Sequence, residues 1–75
     1  MRVKYIVVNN GLHDVMIMFS DLLQHADVAS GFAKIISAGF INPETLSCSG
    51  KSISLGLGSR PEDTEIARRQ FREMD

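Results

Sequence analysis

The chain has one cysteine, no tryptophan, one tyrosine and two prolines, and it lacks an excess of charge of either sign. Each shortage removes a class of explanation. Cys48 has no second thiol to pair with, so no internal disulfide staples the fold, and a reducing cytoplasm is the expected setting. The longest apolar stretches are far short of a membrane span. Arg2 and Lys4 precede Tyr5-Ile6-Val7-Val8, but that run stops at Asn9, too soon for a secretory core. Eight basic and nine acidic residues give a net charge of −1, so no global basic field draws the chain onto nucleic acid. Two histidines and one cysteine are a thin supply for a metal centre, and neither a metal nor a cofactor is expected.

What is present is ordinary globular composition, 44% hydrophobic and 23% charged, which separates the chain from disordered sequences. Its 75 residues make a single domain, 1–75. A domain of this length buries only about 60% of its unfolded surface, so association is one ready way to gain stability.

Residues 2–20 predict a β-hairpin around Asn10-Gly11, a pair suited to the positive φ angles of a type I′ turn. With those two residues as the loop, Ile6 faces Val15. One face collects Ile6, Val8, Val15, Ile17 and Phe19; the other collects Val3, Tyr5, Val7, Met16 and Met18. Both faces are apolar, so both need a cover. Residues 21–31 predict a short helix capped by Ser20 or Asp21, with Leu22, Ala26 and Ala29 as its apolar stripe. Residues 32–41 predict a third strand in which Gly39 marks a bulge or a close approach. Asn42-Pro43-Glu44-Thr45 reads as a turn. Residues 46–57 predict a fourth strand with Ile53, Leu55 and Leu57 facing the core. Residues 60–73 predict the longest helix. Its cap is Ser59 with Glu62, its first turn holds Pro61, and Ile66, Ala67, Phe71 and Met74 are its buried stripe; Glu65 and Arg69 are spaced to pair. The predicted class is α+β: a four-stranded antiparallel sheet, mostly two hairpins in the order β-β-α-β-β-α, packed by a C-terminal helix and a short middle helix.

Two glycine patterns resemble nucleotide-binding motifs and fail as such. Gly50-Lys51-Ser52 has Thr45 where a phosphate-binding loop needs glycine, and a predicted strand follows it instead of a helix. Gly56 and Gly58 are followed by Pro61 where a dinucleotide fingerprint needs its third glycine. What survives is a weaker anion site: Gly58, Ser59 and Arg60 sit at a predicted helix N-terminus, though Glu62 and Asp63 already occupy its positive end. Catalytic pairs fare no better. His13 and Asp14 are strand neighbours pointing to opposite faces. His25 and Asp27, two apart on a helix, do not share a face. Cys48 reads as a small packed residue. The expectation is therefore a non-enzymatic protein.

The residues that remain point to contacts between macromolecules. Met16 and Met18 share a sheet face with Tyr5, and methionine-rich surfaces adapt to partners. Arg68 and Arg72 share a face of the last helix. These five residues are the candidate partner surface. If both helices pack on one sheet face, the other is left for a second subunit, which makes a homodimer the leading expectation, with another protein as a further partner. Nucleic-acid binding through Arg68 and Arg72 with Lys4 or Lys51 is the alternative, and an anion- or ligand-binder at the Gly58–Arg60 corner the second. The tract ISAGFI followed by GKSISLGLGSRPEDTEI resembles small proteins of bacteriophage and prophage genomes, over roughly the second half of the chain. That resemblance implies a bacterial or phage-host cytoplasmic setting and an accessory role, with no catalytic residues to carry over.

Overall fold

The computed structural model describes residues 2–32 and 34–72. Its elements are β1 (Val3–Asn9), β2 (Asp14–Ser20), α1 (His25–Ala29), β3 (Ile35–Ile41), β4 (Cys48–Ser49), β5 (Lys51–Ser52), β6 (Leu57–Gly58) and α2 (Pro61–Arg72). The first four strands form one antiparallel sheet in the order β2-β1-β3-β4, and β5 pairs with β6 in a small second ribbon. The fold is thus the expected α+β arrangement with a four-stranded antiparallel sheet, a C-terminal helix and a short middle helix.

The β1–β2 hairpin differs from the expected register by two residues: Ile6 pairs with Ile17 and Asn9 with Asp14. The cause is local. The Asn10 side chain accepts hydrogen bonds from the Leu12 and His13 N–H groups, and Asn9 Oδ1 accepts from Gly11 N–H. These side-chain turns hold residues 10–13 as the loop, in place of Asn10-Gly11 alone. A slip of one residue exchanges the faces of a strand; a slip of two preserves them. The predicted face lists therefore survive an incorrect register.

α2 covers the face of Tyr5, Val7, Met16 and Ile41 with Ile66 and Ala67, and Phe71 packs at the margin. Met74, expected in this stripe, lies outside the described residues. The opposite face, Ile6, Val8 and Ala38, is covered by Ala29 and Val28 of α1 and by Leu55 and Leu57 of the β5–β6 segment. The two helices lie on opposite faces, so the central sheet surface needs no second copy to hide it. Full burial of Tyr5, Ile6 and Val7 in β1 contributes about 1.5–3 kcal/mol for each apolar side chain.

Three expected elements are shorter or broken. The predicted helix over 21–31 contracts to α1, because Ser20 stabilises a turn through Leu22 N–H to Ser20 Oγ and Leu23 N–H to Ser20 O. Leu22 is consequently 89% exposed. The third strand begins at Ile35, and Ala33 of its predicted start lies outside the described residues. The predicted fourth strand divides into β4, β5 and β6. Ser52 Oγ accepts the Leu55 N–H and Gly56 N–H donates to Ser52 O, folding residues 53–56 into a turn. Ile53, expected in the core, sits on that turn and is 89% exposed.

Gly39 marks a close approach. A Cβ there would lie 2.6 Å from the Ser49 carbonyl oxygen and 3.3 Å from the Tyr5 ring. Glycine thus lets β4 lie against β3. Gly39→Ala is expected to lower stability by about 1–3 kcal/mol, the range for forcing atoms into a packed site. On a domain this small, about 4–8 °C of melting temperature accompanies each kcal/mol. Gly31→Ala, whose added Cβ would find only the Val28 carbonyl at 4.0 Å, is the control and should stay within about 0.5 kcal/mol of wild type. Equal melting curves for the two variants would contradict the β3–β4 contact.

Candidate functional site

The groups with the most chemistry are gathered under the N-terminal end of α2. Asp63 is 0% exposed. Its Oδ2 accepts the Tyr5 hydroxyl at 2.6 Å and the Arg60 backbone N–H at 3.0 Å. Its Oδ1 accepts the Arg60 Nε at 3.0 Å, and the Arg60 Nη2 lies 2.9 Å away. Arg60 also lies 3.7 Å from Asp14, at the hairpin end of β2. The cap of α2 is therefore Arg60 with Asp63, one residue beyond the expected Ser59–Glu62 box. The Ser59 N–H is spent on the Gly50 carbonyl.

Burial by itself pushes the Asp63 carboxyl up. Hydrogen bonds from Tyr5, the Arg60 N–H and the Arg60 side chain outweigh burial and leave the group below its ordinary value. Tyr5 moves the other way: burial, then its hydrogen bond to Asp63 and the adjacent negative charge, raise its hydroxyl far above the usual tyrosine range. The Cys48 thiol is raised chiefly by burial. A thiol raised by burial is a poor nucleophile, and a tyrosine donating to a carboxylate is not available as a base.

The remaining expected pairs are separated by the fold. Cys48 packs on the α2 face, whereas His25 is buried on the other face. His25 Nε2 donates to the Gly39 carbonyl at 2.9 Å, between the edges of Phe19 and Phe40 at 5.5 and 5.7 Å. It is a core histidine with its hydrogen bond satisfied. His13 is exposed on the hairpin loop and Asp27 is exposed on α1.

The expected anion corner of Gly58, Ser59 and Arg60 is filled by the chain's own carboxylate, since Asp63 takes the Arg60 N–H and guanidinium. Among the expected partner residues, Tyr5 and Met16 are core positions beneath α2 and offer no surface. Met18 is half-buried, and Arg68 and Arg72 are exposed. Lys4 is buried, donating to the Leu23 carbonyl at 2.7 Å with Asp21 3.6 Å away, so it does not join a phosphate-binding surface; Lys51 is exposed. Glu65 and Arg69 do not form the expected ion pair. Among the described residues, Arg68, Arg69 and Arg72 are within ion-pair distance of no carboxylate.

A surface feature the sequence reading passed over is the outer edge of β2. The Met16 N–H donates to Gln70 Oε1 at 2.8 Å, and Gln70 Nε2 donates to the Met16 carbonyl at 2.6 Å. Both main-chain groups of Met16 therefore point away from β1. By antiparallel alternation, those of Asp14, Met18 and Ser20 do too. The Ser20 carbonyl is taken by the Leu23 N–H. The Met18 pair has no partner among the described residues. Beside this edge a groove is lined by His13, Asp14, Val15, Ile66, Arg69 and Gln70. Gln70 was detectable in principle: it falls four residues after Ile66, a polar side chain at core spacing. Asp63 falls three before Ile66 and carries the same signal.

No known protein family, curated protein or solved structure matches this chain. Among the described residues no helix is long and apolar enough to cross a membrane.

The buried cluster sets a pH dependence with two limbs. Asp63, depressed in the folded state, contributes stability that is complete above its unfolded value of about 3.9 and is lost as pH falls through the lower folded value. Tyr5, raised in the folded state, contributes stability that is complete below its unfolded value of about 10 and declines as pH rises beyond it. Tyr5→Phe should cost about 1–3 kcal/mol at neutral pH by leaving Asp63 short of a donor. It should also flatten the alkaline limb. Urea titrations from acid to alkaline pH, with Cys48→Ala as background to remove the other raised group, measure both effects. An unchanged alkaline slope in Tyr5→Phe would exclude the assignment.

Proposed function

We propose that the chain is a small, non-enzymatic protein-interaction module that receives another polypeptide along the β2 edge and the arginine-bearing side of α2. One observation supports this most directly: Tyr5, Asp63 and His25 are buried and committed to the fold, while the Met18 main chain and the Arg69 and Arg72 side chains have no partner among the described residues. Extended segments add to open sheet edges through main-chain hydrogen bonds, with neighbouring side chains setting preference. Arg69 lines the groove beside the edge, and Arg72 follows one turn later on α2. That pairing of an edge open at Met18 with guanidinium groups that meet no carboxylate among the described residues favours an acidic extended segment.

A homodimer built on an uncovered sheet face loses its rationale, because α1 and α2 cover opposite faces. The partner in this reading is therefore a different polypeptide, in a phage or bacterial accessory role of the kind the sequence resemblance implies. Phosphates of nucleic acid are a second destination for the same arginines, at the disadvantage of a net charge of −1.

The test uses an alternating Glu-Val decapeptide as probe, titrated into isotopically labelled protein. The Met18 and Ser20 amide resonances are expected to shift, and Arg69→Glu with Arg72→Glu should weaken binding at least tenfold. Shifts confined to other residues, or none at millimolar probe, would remove the β2 edge as the docking surface. A single-stranded oligonucleotide run in parallel that binds more tightly than the peptide would reverse the order of the two readings.

A further inference from the structure

We infer that Gln70 is a lock on the β2 edge that keeps it from pairing with β2 of a second copy of this chain. The inference stands on the backbone of β2 and does not require the peptide-binding reading. The carboxamide of Gln70 presents one acceptor and one donor to the Met16 N–H and carbonyl, at 2.8 and 2.6 Å. These are the contacts that the peptide groups of an added strand would make. An edge strand with unpaired main chain is a template for association, and proteins block such edges.

The sequence of β2, Asp14 to Ser20, shows what is being blocked. Antiparallel pairing of two copies about Ile17 places Met16 opposite Met18, Val15 opposite Phe19, and Ile17 opposite itself. Every inner pair is apolar, and cross-strand pairs of this kind stabilise a sheet. The hydrogen bonds of this register come from the outward groups of Met16 and Met18; at the ends Asp14 lies opposite Ser20, whose carbonyl is already taken by the Leu23 N–H, so the register does not depend on it. Gln70 holds one half of the central bonds. The alternatives are weaker. Pairing about Met18 requires Met16 opposite Ser20, where both partners are already engaged. Pairing about Phe19 relies on the Ser20 carbonyl, which accepts from Leu23 N–H. Removal of the Gln70 amide alone thus opens the Ile17-centred register, together with the one centred on Met16, which sets Asp14 opposite Met18 and uses the same outward groups.

The test is Gln70→Ala, followed by light scattering across a hundredfold range of concentration. A doubling of mass relative to wild type is expected. Adding Met18→Pro to Gln70→Ala should restore the wild-type mass, because proline lacks the outward N–H yet breaks no bond to β1. Mass unchanged in Gln70→Ala, or doubled in both variants alike, overturns the inference; the second result would mean that association uses another surface. A readout on the wild-type chain guards against a variant that fails to fold. Hydrogen exchange should find the Met16 amide protected at least tenfold more than the Met18 amide. Equal exchange at the two positions also overturns it.

Discussion

The hydrogen bond between the Tyr5 hydroxyl and the Asp63 carboxylate joins residues 58 positions apart, from the central strand to the first turn of the last helix. Other features follow from it. A carboxylate with no solvent exposure is tolerated only when its oxygens are satisfied. Here the Arg60 backbone N–H and guanidinium complete that requirement. The same carboxylate caps α2, orients its apolar side onto Tyr5, Val7 and Met16, and holds Arg60 near Asp14 at the hairpin end of β2. Docking of the helix, capping of its first turn and closure over the sheet are one arrangement of four side chains.

With α2 fixed at its start, its later turns are placed as well. Gln70 arrives at Met16 because the helix runs along β2 from a fixed origin, and the arginines arrive on the outside. A helix secured only by hydrophobic contact has some freedom to slide or rotate. One secured by a buried polar cluster does not, because displacement would leave a charge without partners. The closure of the β2 edge at Met16 depends on this: an amide clip at 2.6 to 2.8 Å needs a helix held in register with the strand.

The opposite side of the sheet is organised differently. Lys4, His25 and Phe40 form a mixed cluster in which His25 donates to Gly39 and Lys4 to Leu23. Arg2 lies 3.7 Å above the Phe40 ring. These contacts tie the segment before α1 to the sheet and explain why so short a helix persists. They also show why a lysine or histidine in a small chain is poor evidence of a site: both satisfy main-chain carbonyls, Leu23 in the turn before α1 and Gly39 within β3.

The order of elements, the two apolar faces of the hairpin and the position of the long helix follow from sequence alone, because periodicity and face alternation are local properties that tolerate an even register error. Gly39 is also legible, since a glycine inside an apolar strand signals close approach. The extents of α1 and of β4 to β6 are not, because Ser20, Ser52 and Asn10 side chains compete for backbone groups in ways that propensity does not rank. Which helix covers which face, the burial of Tyr5 and Met16, and the meeting of Asp63 with Tyr5 or Gln70 with Met16 were decided only by tertiary structure. Those contacts join residues more than fifty positions apart, and a linear pattern carries the spacing within an element but not the rotation of one element against another.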